Sequence, residues 1–299
     1  MTPLQQKTIK AIVNVFETGR AAGDYSAVTV LAGDSGHLTY GRSQSALGSG
    51  SLFQLLSQYS VAPGAKFAAQ IQPYLPRLEA RDVTLDNDAT LRNILREAGS
   101  DSVMQAEQDS FFDANYFNPA CTSAGACGLN SVLGHAVVYD SYVQGNWRAM
   151  RDAANKKCGA AGSRGVTEQQ WLTVYVQTRK QWLSSSRPPL PATVYRMDAF
   201  LNLIANGNWN LDLPLQVHGV TIFAADLGDG PPPSLRLTTP PITGDSVRKL
   251  QASLAKAGFD CGLDGSFGPQ TEAAVKAFQA AKGMPQDGIV GPEVWAALA

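Results

Sequence analysis

The sequence predicts a mainly α fold with a small β element, followed by a compact three-helix unit at the C-terminus. Three observations carry this. Apolar residues recur at i, i+3, i+4 and i+7 in several separate stretches, the signature of amphipathic helices. YSAVTVL (25–31) is instead rich in β-formers and runs into the turn residues of GDSGHLTYGR (33–42). Finally, ADLGDGPPPSLRLTTPPITG (225–244) carries a proline cluster that favours an extended connector over a packed element.

A chain of 299 residues can bury one sizeable core and still leave room for a small second domain. The expected boundaries are therefore 1–224, a linker at 225–244, and 245–299. Lysines and arginines (24) nearly balance the acids (25), so the chain lacks the basic footprint of a nucleic-acid binder. MTPLQQKTIKAIVNVFETG has no basic stretch followed by an unbroken apolar run and a small-residue cleavage site, and nowhere do 18 apolar residues stand together. The expectation is a monomer made in the cytoplasm with no membrane span, reaching a cell wall only by non-classical export or lysis.

Residues 4–17 place Leu4, Ile9, Ile12, Val13 and Phe16 on one side of a helix that Thr18-Gly19 stops. Glu17 then sits on the last turn, where the negative end of the helix dipole and burial beside Phe16 disfavour the charged carboxylate. A general acid working near neutral pH needs such surroundings. Tyr25–Leu31 reads as a strand, Gly33–Gly36 as a turn and His37–Tyr40 as a returning strand. Asp34 falls at the hairpin tip, where solvent and donors keep it ionised. Two carboxylates in such unlike surroundings, facing one another across a cleft, suit glycoside hydrolysis: one protonates the leaving oxygen and the other activates water or attacks carbon.

Further along, Gly48-Ser49-Gly50-Ser51 lacks the Gly-Lys-Ser/Thr ending of a phosphate loop and reads as a helix start ahead of LFQLLSQY. Asp82, Asp86 and Asp88 precede ATLRNILREAG and read as helix caps, since the glycine and terminal glutamate of a calcium loop are missing. His135, Tyr139 and Asp140 lie on an apolar helical stretch and read as polar core partners; no serine stands in a nucleophile elbow. Cys121, Cys127, Cys158 and Cys261 allow three full pairings, between which the sequence does not choose. With His37, His135 and His218 scattered and no paired cysteine motif, neither a metal nor another cofactor is expected.

In the tail, Asp245 is placed to cap a helix whose Val247, Leu250 and Leu254 share one face. Two matched turns follow, Asp264-Gly265 ahead of Pro269 and Asp287-Gly288 ahead of Pro292, each opening a helix. Ala274, Val275 and Phe278 line the second helix, Trp295 and Leu298 the third. For the turn aspartates, loop chemistry is the plainer reading. The run V-x-x-L-Q-x-x-L, then D-G-x-F-G, T-x-x-A-V-x-x-F-Q and D-G-x-V-G-x-x-x-W resembles the peptidoglycan-binding type 1 module. The resemblance implies a non-catalytic wall anchor, with Asp264, Phe267, Asp287 and Trp295 as its candidate wall-binding site residues, which would raise the local concentration of an attached enzyme at murein.

Glu17, Asp34 and Thr39, with Tyr25 between and T-x-G-x-x-x-x-x-x-G-x-G after, resemble the N-terminal signature of glycoside hydrolase family 46, the chitosanases of the lysozyme-like superfamily. MQAEQDSFFDANYFNPA (104–120), LGHAVVYDSYVQGNW (133–147) and RMDAFLNLIANGNWNLDLPLQVHGV (196–220) resemble later segments, so the likeness runs with gaps over most of residues 5–222. It implies a two-lobed, mostly helical domain with a small hairpin at the cleft. Glu17 would be the general acid, Asp34 the general base and Thr39 a holder of the nucleophilic water. Hydrolysis would invert the anomeric centre, with the carboxyls about 6.5–9.5 Å apart.

The pattern also departs from the family. Gly36 and His37 stand where the chitosanases carry a charged residue and then Gly or Pro, and Ser51 follows the G-x-G where they carry an aspartate that meets a glucosamine ammonium group. A cleft for polycationic chitosan should carry surplus negative charge, and this chain is nearly neutral. The expected substrate is therefore murein, cut as a muramidase would cut it, with Tyr25, His37, Tyr40, Arg42 and Ser51 contacting glycan or stem peptide. Chitosanase activity is the alternative, and a catalytically inactive wall-binding protein the third reading. A murein-cutting chain would act as a phage endolysin or as an antibacterial effector, the latter with secretion machinery and an immunity protein as partners.

Overall fold

A computed structural model describes residues 1–299 apart from Ala32, Ser43 and Arg164. Most described residues are helical, and the strands form one three-stranded and one two-stranded antiparallel sheet. The chain divides into two compact units. One comprises Met1–Ala22, Cys127–Val137 and Asn146–Ala299; the other comprises Gly23–Ala126 and Val138–Gly145.

The first unit opens with helix α1 (Pro3–Thr18). Thr2 caps it reciprocally with Gln5, Pro3 occupies the first turn where its missing N–H is no loss, and Ile9, Ile12, Val13 and Phe16 are buried. Gly19 ends the helix at φ 70°, a left-handed conformation that costs glycine no Cβ clash, and its N–H returns to Val15 O. Later in this unit, helix Glu168–Ser185 packs on Trp147–Cys158 and Tyr195–Ala205. Trp147, Trp171 and Tyr175 cluster there, and the Trp171 indole donates to Asn155 Oδ1 at 2.7 Å. Strands β4 (Leu215–Val217) and β5 (Val220–Ile222), numbered after the three strands of the second unit, form a tight hairpin across His218-Gly219.

In the second unit, β1 (Val28–Thr29), β2 (Thr39–Tyr40) and β3 (Ser45–Ala46) make a meander in which Val28 faces Tyr40 and Thr39 faces Ala46. The strands are shorter than YSAVTVL suggests, and the third was not expected. Helix α2 (Ser51–Val61) follows Gly50 as anticipated and buries Leu52, Leu55, Leu56 and Tyr59 in a core with Leu38, Leu91 and Leu95. Asp82 and Asp88 cap their helices through Thr84 N and Leu91 N. Asp86 does not. It reaches back to the meander and accepts from Leu38 N at 2.7 Å. The helical run Ser102–Ala126 widens to a π turn at Asp113–Phe117. Pro119 lies just beyond that turn, and it has no N–H with which to continue the regular ladder.

The tail forms three helices, Asp245–Lys256, Pro269–Ala281 and Pro292–Leu298, around Val247, Leu250, Leu254, Phe267, Val275, Phe278 and Val290. Two expectations change. Asp245 is not the cap: Gly244 holds that position, and Asp245 is the first helical residue. Segment 225–244 is not a bare connector, because Leu235 is buried in the tail core and exchanges both backbone bonds with Val290, while the Trp295 indole donates to Pro233 O at 2.8 Å. No disulfide joins the four cysteines. Among the described residues no helix is long and apolar enough to cross a membrane, and no three His, Cys, Asp or Glu side chains gather as a metal site.

Candidate active site

Glu17, on the last turn of α1, is clasped by the start of helix Tyr195–Ala205. Arg196 Nη2 donates to Glu17 Oε1 at 2.6 Å; the arginine side chain is 5% exposed and the glutamate 22%. The same guanidinium lies over the Phe16 ring, 5.3 Å from its centre, and the Tyr195 hydroxyl donates to Phe16 O at 2.8 Å. Phe16 also meets Tyr195 and Phe200 edge-on. Two consecutive α1 residues are thus held by two consecutive residues from 179 positions away. Beyond the helix terminus and Phe16, Glu17 thus has a cation as a polar partner, which no local sequence signal announces.

Asp34 and Thr39 belong to the other unit. Asp34 is exposed in the turn between β1 and β2, and its Oδ1 accepts from Gly36 N at 3.1 Å. Beneath this turn passes Gly48, whose N–H bonds Gly36 O at 3.0 Å. A Cβ on Gly48 would stand 2.0 Å from Ser35 O, so this first glycine of G-x-G must lack a side chain for the turn to lie where it does. Thr39 Oγ1 points to Thr29 O at 3.2 Å and Gln44 Oε1 at 2.5 Å, while Gln44 Nε2 is anchored on Gly41 O. The hydroxyl proton is committed to these acceptors, which leaves the oxygen able to accept.

The five residues expected at substrate all make contacts within the scaffold. Tyr40 is fully buried. Arg42 is also buried: it pairs with Asp109 Oδ1 at 2.8 Å, and Tyr25 donates to the same carboxylate at 3.0 Å. Burial pushes the Tyr25 phenol above its ordinary value, against the opposing influence of Arg42. His37, at φ 55°, has Nδ1 2.9 Å from Asp86 Oδ2, so this carboxylate ties both His37 and Leu38 to the segment before Ala89–Ala98. Ser51 Oγ accepts from Ala46 N at 2.8 Å and lies 2.9 Å from Ser49 Oγ, joining the helix start to β3. His135 Nδ1 lies 2.9 Å from Ser131 O, and Asp140 and Tyr139 are buried, in keeping with polar core partners.

The tail residues are structural as well. Phe267 and Trp295 are buried. Asp264 accepts from Ser266 N and Gln251 Nε2, and Asp287 from Ile289 N and Gln279 Nε2, each at 2.8–2.9 Å. Gln251 and Gln279 accept in turn from Gly265 N and Gly288 N. Each D-G turn is therefore stapled by a buried glutamine one helix earlier, a pairing visible in the sequence only as the repeated Gln of L-Q and F-Q.

Residues 11–215 match the family model described as glycosyl hydrolase family 46. The chain belongs to that family. Residues 243–298 match the model described as putative peptidoglycan binding domain. A chitosanase of Bacillus subtilis (strain 168) is 26% identical over 231 residues, covering 71% of this chain and 81% of that one. The family 46 chitosanase of Gynuella sunshinyii, solved in complex with chitotetraose, shares the fold with a TM-score of 0.66 at 24% identity, covering 74% of this chain and 98% of the other. The tail alone is 47% identical over 53 residues to a zinc D-Ala-D-Ala carboxypeptidase of Streptomyces albus G, which is 17% of this chain and 21% of that protein. The family 46 region thus carries both Glu17 and Asp34, and the wall-type module follows it.

Proposed function

We propose that this family 46 chain hydrolyses β-1,4-linked glucosamine polymers of the chitosan type by acid/base catalysis, and that its C-terminal module holds it to cell-wall glycan. The observation that carries this is Glu17 paired to a buried arginine within the segment matched to family 46. Glu17 gives its proton to the leaving glycosidic oxygen, and the carboxylate that remains is matched by Arg196. Asp34 takes a proton from a water whose oxygen attacks the anomeric carbon. Thr39, with its own proton committed, accepts the water's other hydrogen and so aims a lone pair at the sugar. Attack opposite the leaving group inverts the centre, for which the two carboxyls need about 6.5–9.5 Å between them.

The muramidase reading preferred on sequence grounds takes second place, because the relative that matches over most of its length is a chitosanase. What favours it still is the tail's match to a peptidoglycan-binding model, together with Ser51 at the position of the family's ammonium-binding acid. On that reading the chain would reach a rival's or host's wall by lysis or dedicated secretion. Product analysis by mass spectrometry separates the two. Glucosamine oligomers released from chitosan, and lost with Glu17→Gln, support the first. Muropeptides with reducing muramic acid ends and no chitosan cleavage support the second, and turnover undiminished in Glu17→Gln sinks both.

A further inference from the structure

The chain beyond the family 46 match meets α1 and the turn that follows it in two places. Near the start of α1, Lys7 Nζ donates to Leu227 O at 2.9 Å. At its end the contact is more specific. Asp245 accepts from Arg20 Nε through Oδ1 and from Ala22 N through Oδ2, each at 3.1 Å, and its side chain is only 12% exposed. On α1 itself, buried Asn14 donates to Ala21 O at 3.1 Å. The turn 19–22 is gripped by its own helix through a carbonyl and by the tail through an amide and a side chain.

An acid in the first turn of a helix is ordinarily explained by the helix dipole alone. Here that leaves the direction of the carboxylate unexplained: both oxygens are engaged by a segment 223–225 residues away. Helix ends fray, and α1 ends at Thr18, one residue beyond Glu17. Loosening that turn would let Glu17 drift from Arg196, and small displacements of a reacting group are expensive in rate.

We infer that Asp245 is a positioning residue for Glu17, and that the C-terminal module is a built-in support of the α1 terminus as well as an anchor. This rests on Glu17 being the proton donor. The test uses full-length protein, with hydrogen exchange of residues 14–24 and steady-state kinetics on soluble chitosan oligomers. Asp245→Ala should speed exchange at Ala22 and the last turn of α1 by about tenfold, the loss of a charge-assisted hydrogen bond, and lower kcat by about tenfold with KM within about twofold. Asp245→Asn, which still offers an acceptor to Ala22 N, should recover much of kcat. Lys7→Ala, which cuts the other contact, should leave kcat unchanged.

Unchanged exchange in Asp245→Ala, or faster exchange with unchanged kcat, overturns the inference, as does an equal kcat loss in Lys7→Ala. If Glu17→Gln keeps full turnover, the reading of Glu17 fails instead, and the exchange data still decide whether Asp245 secures the turn.

Discussion

Glu17 and Asp34 are held in opposite ways. Glu17 meets a buried guanidinium, whereas Asp34 is exposed with a backbone amide for company. Asparagine at position 34 can keep that amide bond yet cannot take a proton from water. Asp34→Asn should therefore leave the melting temperature within about 2 °C while lowering kcat by about 100-fold or more, the usual worth of a general base. Equal turnover in parent and variant would remove Asp34 from the mechanism. At this scale the sequence singled out the two carboxylates and Thr39, because their proposed chemistry follows from residue type, local turn signals and the family resemblance. It gave no sign of the partners that Tyr25, His37, Tyr40, Arg42 and Ser51 find, because burial and partners such as Asp109 depend on contacts made across the fold.

The elements of the tail repeat one device, a D-G turn stapled by a glutamine. Gln251 is fully buried and also bonds Ser266 O and the Thr271 hydroxyl. Gln251→Ala would leave several buried groups unpaired and should destabilise the tail by about 1–3 kcal/mol, read by denaturant-dependent hydrogen exchange of tail amides. The Asp264 carboxyl is held below its ordinary value by the Gln251 side chain and Ser266 N, and Asp287 by Ile289 N and Gln279. Because the folded values are depressed, this support is complete above the unfolded value of about 3.9 and is lost as pH falls through the folded value. Asp264→Asn should accordingly be less stable than the parent at pH 7 and converge with it at strongly acidic pH. A gap of constant size across that range would contradict the assignment.

For the whole molecule, two roles are proposed for the C-terminal residues, and one deletion with two readouts tests both. Removing 225–299 should abolish co-sedimentation with peptidoglycan sacculi, if the module is the wall anchor. It should also lower stability, because Phe223 loses its packing against the tail core, and turnover on soluble oligomers, because the turn after α1 loses Asp245. Sacculus binding that survives the deletion would place the anchor elsewhere in the chain. A purely tethered module, as the proline-rich composition of 225–244 suggests, would instead make the deletion weaken action on sacculi more than on soluble oligomers. Composition signals an extended backbone but does not reveal that Leu235 inserts into the tail core and pairs with Val290.

The sequence by itself determined what depends on residues a few positions apart. This covers the α1 stripe and its Gly19 stop, the helix start at Ser51, the caps at Asp82 and Asp88, and the proline-opened tail helices, along with the resemblances that the family comparisons bear out. Tertiary structure decided which distant groups meet: Arg196 with Glu17 across 179 positions, Asp86 with His37 across 49, and Asp245 with Ala22 across 223. The physical reason is that periodicity, capping and turn chemistry are written in local dihedral and dipole preferences. A charge pair between remote elements leaves no periodic trace, and it exists only once packing has brought its two halves within hydrogen-bond reach.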